Sequence, residues 1–302
     1  MENGKGSTNI KAKPKEGVGM IDGEKLEWKK EGVQARDSAH KRREPVLFLG
    51  IMGAKGGQGA SMFASSLASI LALEKRPLLI DLDPFATHRH AFEKKGFSGI
   101  AQLASLAEEI DPHSLSNLIG EHPSGYHLLP GARSPEDESL LTAEKLEYIY
   151  QLIGQIYELV LIDISSHLEM IKKHALLPCS IIFFVMQPDL LSLRCGARTL
   201  ELARKVEANG THHWGLIINR YNRSSLLRPR ELAEALELPL VASLPEDALA
   251  AERFSNFGKI SPEGTPYIKS ITDLALNLHL LTLPRPYARS KFSTRYFRKS
   301  IK

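Results

Sequence analysis

The residues best suited to chemistry stand in one short stretch, Gly53-Ala-Lys-Gly-Gly-Gln-Gly-Ala-Ser61. Its glycines Gly56, Gly57 and Gly59 allow backbone N–H groups to converge on a single anion, as a phosphate-cradling loop requires. An apolar run precedes the stretch and a helical pattern follows it, so a helix N-terminus would add its dipole to the cradle. Ser61 stands where a hydroxyl would bind Mg2+. Carboxylates come next. In Leu78-Leu-Ile-Asp-Leu-Asp-Pro84, Asp81 and Asp83 are two apart and share one face at a strand end, which would place both beside the phosphate crevice. Asp163 closes a second apolar run, Leu159-Val-Leu-Ile-Asp163. His167 has no sequence partner that would make it a base and reads as a solvated loop histidine. Asn219 ends Gly215-Leu-Ile-Ile-Asn219, a place where asparagine commonly forms a turn.

Such residues need a scaffold, and the pattern from Pro45 onward supplies one. Strand-like apolar runs at 46–52, 78–82, 126–129, 159–164, 180–186, 214–218 and 240–244 alternate with helical-period segments. Those segments include 61–73, 142–156, 190–206, 230–236 and 268–281. Leu159 to Ile162 are consecutive apolar residues, the pattern of a strand covered on both faces. The expected fold is therefore α/β, a doubly wound and mostly parallel sheet with helices on both faces and ligands at the carboxyl ends of its strands. Asp189 reads as the N-cap of the segment beginning at 190.

The ends differ from this body. The chain has 302 residues and a net charge of +4, but residues 45–273 alone carry −6. Residues 1–44 carry +3 with few large apolar groups, and read as a mobile basic arm. Residues 45–281 form the expected nucleotide-binding domain, and 282–302 a basic, aromatic tail. Cys179 and Cys195 lack metal-ligand spacing and read as small core residues. With no run of about 20 apolar residues and no signal-peptide core, the expected compartment is the cytoplasm.

The glycine loop resembles the deviant Walker A segment, KGGxGK[ST], of the MinD/ParA group of P-loop ATPases, and the resemblance extends over about residues 46–281. It implies contacts of Lys55, Gly56, Gly57, Gln58, Gly59, Ala60, Ser61 and Met62 with ATP or ADP, and of Asn219 with adenine. It further implies that Ser61, Asp81 and Asp163 serve Mg2+, with Asp163 as the Walker B acid. Asp83 matches the residue that orients the attacking water, and Lys55 the signature lysine that reaches the nucleotide of a partner subunit. The loop lysine itself is replaced by Ala60. A charge-assisted hydrogen bond is worth about 1.5–3 kcal/mol, a loss that binding tolerates. A missing transition-state donor costs roughly 10²–10³ in rate. Binding without efficient turnover is the expectation.

Within the group the chain looks most like the CpaE/TadZ branch, which organises tight-adherence pilus assembly. The residues that carry this are Leu128-Leu-Pro-Gly-Ala-Arg-Ser-Pro-Glu136, Val185-Met-Gln-Pro-Asp-Leu-Leu-Ser-Leu-Arg194, Ile218-Asn-Arg-Tyr221 and Leu244-Pro-Glu-Asp247. The partners it implies are a second copy of the chain in a nucleotide-dependent homodimer and components of pilus or secretion machinery. Peripheral placement at the inner face of the membrane or at a cell pole would follow, with the tail as a contact for an anionic surface. Two rivals stand beside this reading: a ParA-type partition ATPase that binds DNA, the less favoured partner, and a pseudo-ATPase scaffold that binds no nucleotide.

Overall fold

The computed structural model describes residues 17–21, 24–28, 45–82, 88, 99–106, 110–131, 140–164, 174–206, 212–258, 260 and 264–281. Among these the strands are β1 (Gly17–Ile21), β2 (Glu24–Trp28), β3 (Leu47–Gly53), β4 (Leu78–Asp81), β5 (Gly120–Glu121), β6 (His127–Leu129), β7 (Leu159–Ile164), β8 (Ile181–Met186), β9 (His213–Tyr221) and β10 (Leu240–Pro245). The helices are α1 (Ala60–Leu71), α2 (Ile100–Ser105), α3 (Pro112–Leu118), α4 (Ala143–Gly154), α5 (Leu190–Val206), α6 (Pro229–Leu236), α7 (Ala248–Phe257) and α8 (Pro266–Asn277).

Strands β3 to β10 form one sheet in the order β10-β9-β8-β3-β7-β4-β6-β5. All of its neighbours are parallel except the edge strand β5, which runs against β6. The chain leaves β3 toward β4 on one side and later crosses from β7 to β8 on the other. The crevice at the carboxyl end of β3 is thus the switch point where a doubly wound sheet binds its ligands.

The run of apolar residues in β7 splits between the two faces. Val160 and Ile162 pack with residues of α2, α3, α4 and α6, while Leu159 and Leu161 pack with α1, α7 and α8. Each side chain of such a strand needs cover, because successive side chains point to opposite faces of the pleat. All seven apolar runs read as strands are strands, with ends shifted by up to three residues. The short elements α2, α3 and β5 were not legible as periodic segments. No helix among the described residues is long and apolar enough to cross a membrane.

Two sequence expectations change. Within the segment read as a mobile arm, β1 and β2 pair as an antiparallel hairpin with Gly17 opposite Trp28 and Ile21 opposite Glu24. Val18 and Met20, alternating with glycine, carry the period of a strand, which composition averaged over 44 residues concealed. The remainder of the arm and the tail at 282–302 lie outside the described residues. Of the two cysteines, Cys179 is buried but Cys195 is only half-buried.

Asp189 does cap α5. One carboxylate oxygen accepts from the Ser192 N–H at 2.8 Å and the other from the Ser192 hydroxyl at 2.6 Å. Partial burial pushes this carboxyl up, but both Ser192 bonds and the nearby Lys55 ammonium outweigh it and hold the carboxyl below its ordinary value. Asp189→Ala should destabilise the fold by about 1 kcal/mol at neutral pH. A group with a depressed folded value stabilises above its unfolded value, so this difference should fade as pH falls below 3.8. Urea melts of both proteins at neutral and acidic pH measure it.

Candidate functional site

The glycine loop leaves β3 at the centre of the sheet and enters α1 at Ala60. Gly59 takes the N-cap position in a left-handed conformation, φ 87°, and no side chain caps the helix. The first-turn N–H groups of α1 are therefore unspent by any cap, and they stand at a cleft of about 540 Å³. That is the local chemistry of an anion site.

Gln187 just after β8, Asn219 near the end of β9 and Thr199 of α5 hold the loop. Gln58 is buried, and its Oε1 accepts from the Gln187 N–H at 2.7 Å. The Gln187 amide donates back to the Gly57 carbonyl at 2.8 Å, and Asn219 Nδ2 donates to the Gln58 carbonyl at 2.8 Å. On the other side of the loop, the Thr199 hydroxyl donates to the Ala54 carbonyl at 3.0 Å. Gln58 Nε2 is left buried without a hydrogen-bond partner. A buried donor in that state costs about 1–3 kcal/mol unless a ligand satisfies it.

The cleft also holds groups of the opposite polarity. Asp247 caps α7 by accepting from the Ala250 N–H at 2.9 Å, and its second oxygen is buried with no partner. Arg220, in a left-handed conformation at φ 52°, and the aromatic residues Phe254 and Tyr267 line the cleft as well. An orphaned donor at the glycine loop and an orphaned acceptor on Asp247 match a ligand with an anionic group and a hydrogen-donating group. A nucleotide is such a ligand.

Most of the residues singled out in the sequence meet here. Lys55, Gly56, Gly57, Gln58, Gly59, Ala60, Ser61, Met62, Asp163 and Asn219 all line the cleft. Lys55 is half-buried, and Asn219 gives one amide hydrogen to the loop, which leaves its other hydrogen and its carbonyl oxygen for a ligand.

The carboxylate pair is the exception. Asp81 and Asp163 are register partners on β4 and β7, yet Asp81 is fully buried and does not line the cleft. Asp83, its expected companion beside the crevice, lies outside the described residues, and His88 contacts Asp81. The backbone N–H of His88 donates to Asp81 Oδ2 at 3.1 Å, and its Nε2 lies 2.9 Å from Asp163 Oδ2. Sequence reasoning missed His88, which follows the second Asp by five residues in a stretch with no helical or strand period to place it. His167 lies outside the described residues. Nearby, burial raises the Tyr126 phenol against the pull of its 2.8 Å bond with Ser65, and the charges of Asp81 and Asp163 raise it further.

The oxygens of Ser61 and Asp163 at the glycine-loop end fit a hard cation such as Mg2+. An ion there would neutralise phosphate oxygens between loop and carboxylate.

The loop geometry makes one substitution diagnostic. A Cβ on Gly59 would collide with the Asn219 amide, and φ 87° strains any residue that has one. Gly59→Ala should cost about 1–2 kcal/mol for the left-handed conformation alone, plus the bond from Asn219 to Gln58. Thermal melting reads the loss; an unchanged midpoint would contradict this account of the loop.

Comparison with known proteins agrees with this geometry. Residues 49–258 match the family described as the CobQ/CobB/MinD/ParA nucleotide binding domain. The chain is 24% identical over 237 residues to an uncharacterized ATP-binding protein of Methanocaldococcus jannaschii, covering 77% of this chain and 88% of that one. In structure it is similar to a ParA family ATPase from Chlorobium tepidum, with TM-score 0.68, 19% identity, and 77% and 98% of the two chains covered. It is similar also to the septum site-determining protein MinD of Pyrococcus horikoshii complexed with Mg-ADP, with TM-score 0.63, 21% identity, and 79% and 100% covered. With its glycine loop, its parallel sheet and a match over more than two thirds of its length, the chain belongs to the CobQ/CobB/MinD/ParA nucleotide-binding domain family.

Proposed function

We propose that this chain binds ATP or ADP with Mg2+ in the cleft, and that it positions or organises pilus or secretion machinery in the manner of the CpaE/TadZ branch, with slow or absent hydrolysis. The observation that carries the nucleotide reading is the uncapped N-terminus of α1 beside the buried, unpartnered Gln58 amide. Both offer donors to phosphate, and the free oxygen of Asp247 offers an acceptor to the base or ribose. Ser61 and Asp163 would hold Mg2+ at the phosphate end. The loop is read as a deviant Walker A, and Ala60 stands where its lysine would be. Asp83 would orient the water in whatever hydrolysis remains.

Lys55 is the loop's only lysine, so a partner's Lys55 restores part of the missing charge. Nucleotide binding and C2 dimerisation are then linked, since a nucleotide held by one subunit alone lacks any lysine contact. The pilus role rests on the sequence likeness of 128–136, 185–194, 218–221 and 244–247, and a membrane contact on the basic tail.

Titration of purified chain with ATP and Mg2+ should saturate below the millimolar range, with turnover slower than about 1 s⁻¹. Ala60→Lys should raise turnover. Sedimentation should show a dimer with MgATP for the wild type and a monomer for Lys55→Ala. A wild type that stays monomeric at saturating MgATP ends the dimer reading, and absence of saturable binding ends the nucleotide reading in favour of a pseudo-ATPase scaffold. Salt-dependent binding to DNA would favour a partition role instead.

A further inference from the structure

The carboxylates of Asp81 and Asp163 lie side by side across parallel strands, 0% and 2% exposed. Two charges so placed repel each other and have lost their hydration, which proteins tolerate when a cation is shared between them. His88, 1% exposed, brings an imidazole to this pair rather than a lysine or arginine. Its main chain is fixed by the bond to Asp81, and its ring packs edge-on against Phe254 at 5.8 Å between centroids. One ligating atom from each of the three residues lies within 4.8 Å of the other two. Metal–ligand bonds of about 2.0–2.2 Å keep donors about 3–4.4 Å apart around one ion. Small side-chain shifts therefore close the triad on a metal.

We propose that Asp81, His88 and Asp163 form a binding site for a transition-metal dication, of which Zn2+ is the representative, held without nucleotide. An imidazole nitrogen with two carboxylates is a donor set of intermediate softness, suited to Zn2+, Mn2+ or Co2+. Mg2+ prefers oxygen ligands and retains its water. On binding, the ion takes the place of the proton shared by His88 Nε2 and Asp163 Oδ2, and that proton leaves to solvent. Asp163 lines the cleft, as does Phe254 beside the imidazole, so the cleft is the route of entry. The site shares Asp163 with the proposed nucleotide site, but its existence does not depend on nucleotide.

The test uses the full chain stripped of metal, with no nucleotide present. Calorimetric titration with Zn2+ should show saturable binding that His88→Ala weakens at least roughly tenfold, with Asp81→Asn weakening it similarly. Comparing variants rather than counting ions removes the contribution of the other ten histidines. Co2+ titration should produce visible absorption that Zn2+ quenches and equal Mg2+ does not. Circular dichroism checks that both variants fold. If His88→Ala does not fold, the near-isosteric Asp81→Asn and the Co2+ spectrum of the wild type still decide. Equal Zn2+ affinity in folded wild type and variants, or displacement of Co2+ by equimolar Mg2+, overturns the site. A chain that binds Zn2+ but not ATP keeps this site and loses the nucleotide reading; the converse loses only this site.

Discussion

The shape of the cleft depends on Gln58, which lies in the glycine loop and is bonded by Gln187, in the turn after β8, and by Asn219 of β9. Its side-chain oxygen accepts from the Gln187 N–H and its main-chain carbonyl from the Asn219 amide. Glycines let a loop adopt the cradle conformation but do nothing to hold it there, and they lose more entropy than any other residue on being fixed. The tethers from Gln187 and Asn219 oppose that loss. They exist because β8 lies next to β3 and β9 next to β8, so the crossover from β7 to β8 is what brings the tethers to the loop.

Asp163 stands beside the loop because β7 lies between β3 and β4. One consequence is that β7 must be apolar on both faces and still end in a carboxylate. Every residue from Leu159 to Ile164 is buried, Asp163 included. A charge at such a place is costly unless paired or coordinated. The register that aligns Asp163 with Asp81 doubles the cost, and His88 lies where it can offset it.

How much of this was legible in the sequence follows from what each feature depends on. The β3–loop–α1 unit and the apolar run of β7 are local, and local patterns of glycine spacing and periodicity revealed them. Asp81 was found by its spacing from Asp83, but nothing in spacing tells that a histidine seven residues on donates its N–H to it. Gln187 lay inside a stretch noted for family likeness, but its bond to the loop spans 129 positions and has no sequence signal. Asp247 could have been found, since an acid just before a helical segment is an N-cap signal. Its unspent second oxygen could not, because that depends on what buries it.

The charges around the cleft constrain what it can hold. Among the described residues that line it, the bases are Lys55 and Arg220, and the acids are Asp163, Glu246 and Asp247. Side chains alone thus leave the cleft with an excess of negative charge, an unwelcoming place for a polyanion. What opposes this is concentrated at one end: the uncapped N-terminus of α1, the Gln58 amide and half-buried Lys55. A helix terminus supplies only about half an elementary charge. With a methyl group at Ala60, the loop has no second ammonium to add. A phosphate chain held here therefore needs positive charge from outside the loop. Two sources are consistent with the geometry, a divalent cation between the phosphates and Asp163, or an ammonium from a second copy of the chain. On the proposed nucleotide reading, an uncharged residue at position 60 would tie ligand affinity to cation and partner more tightly than a loop that carried its own charge.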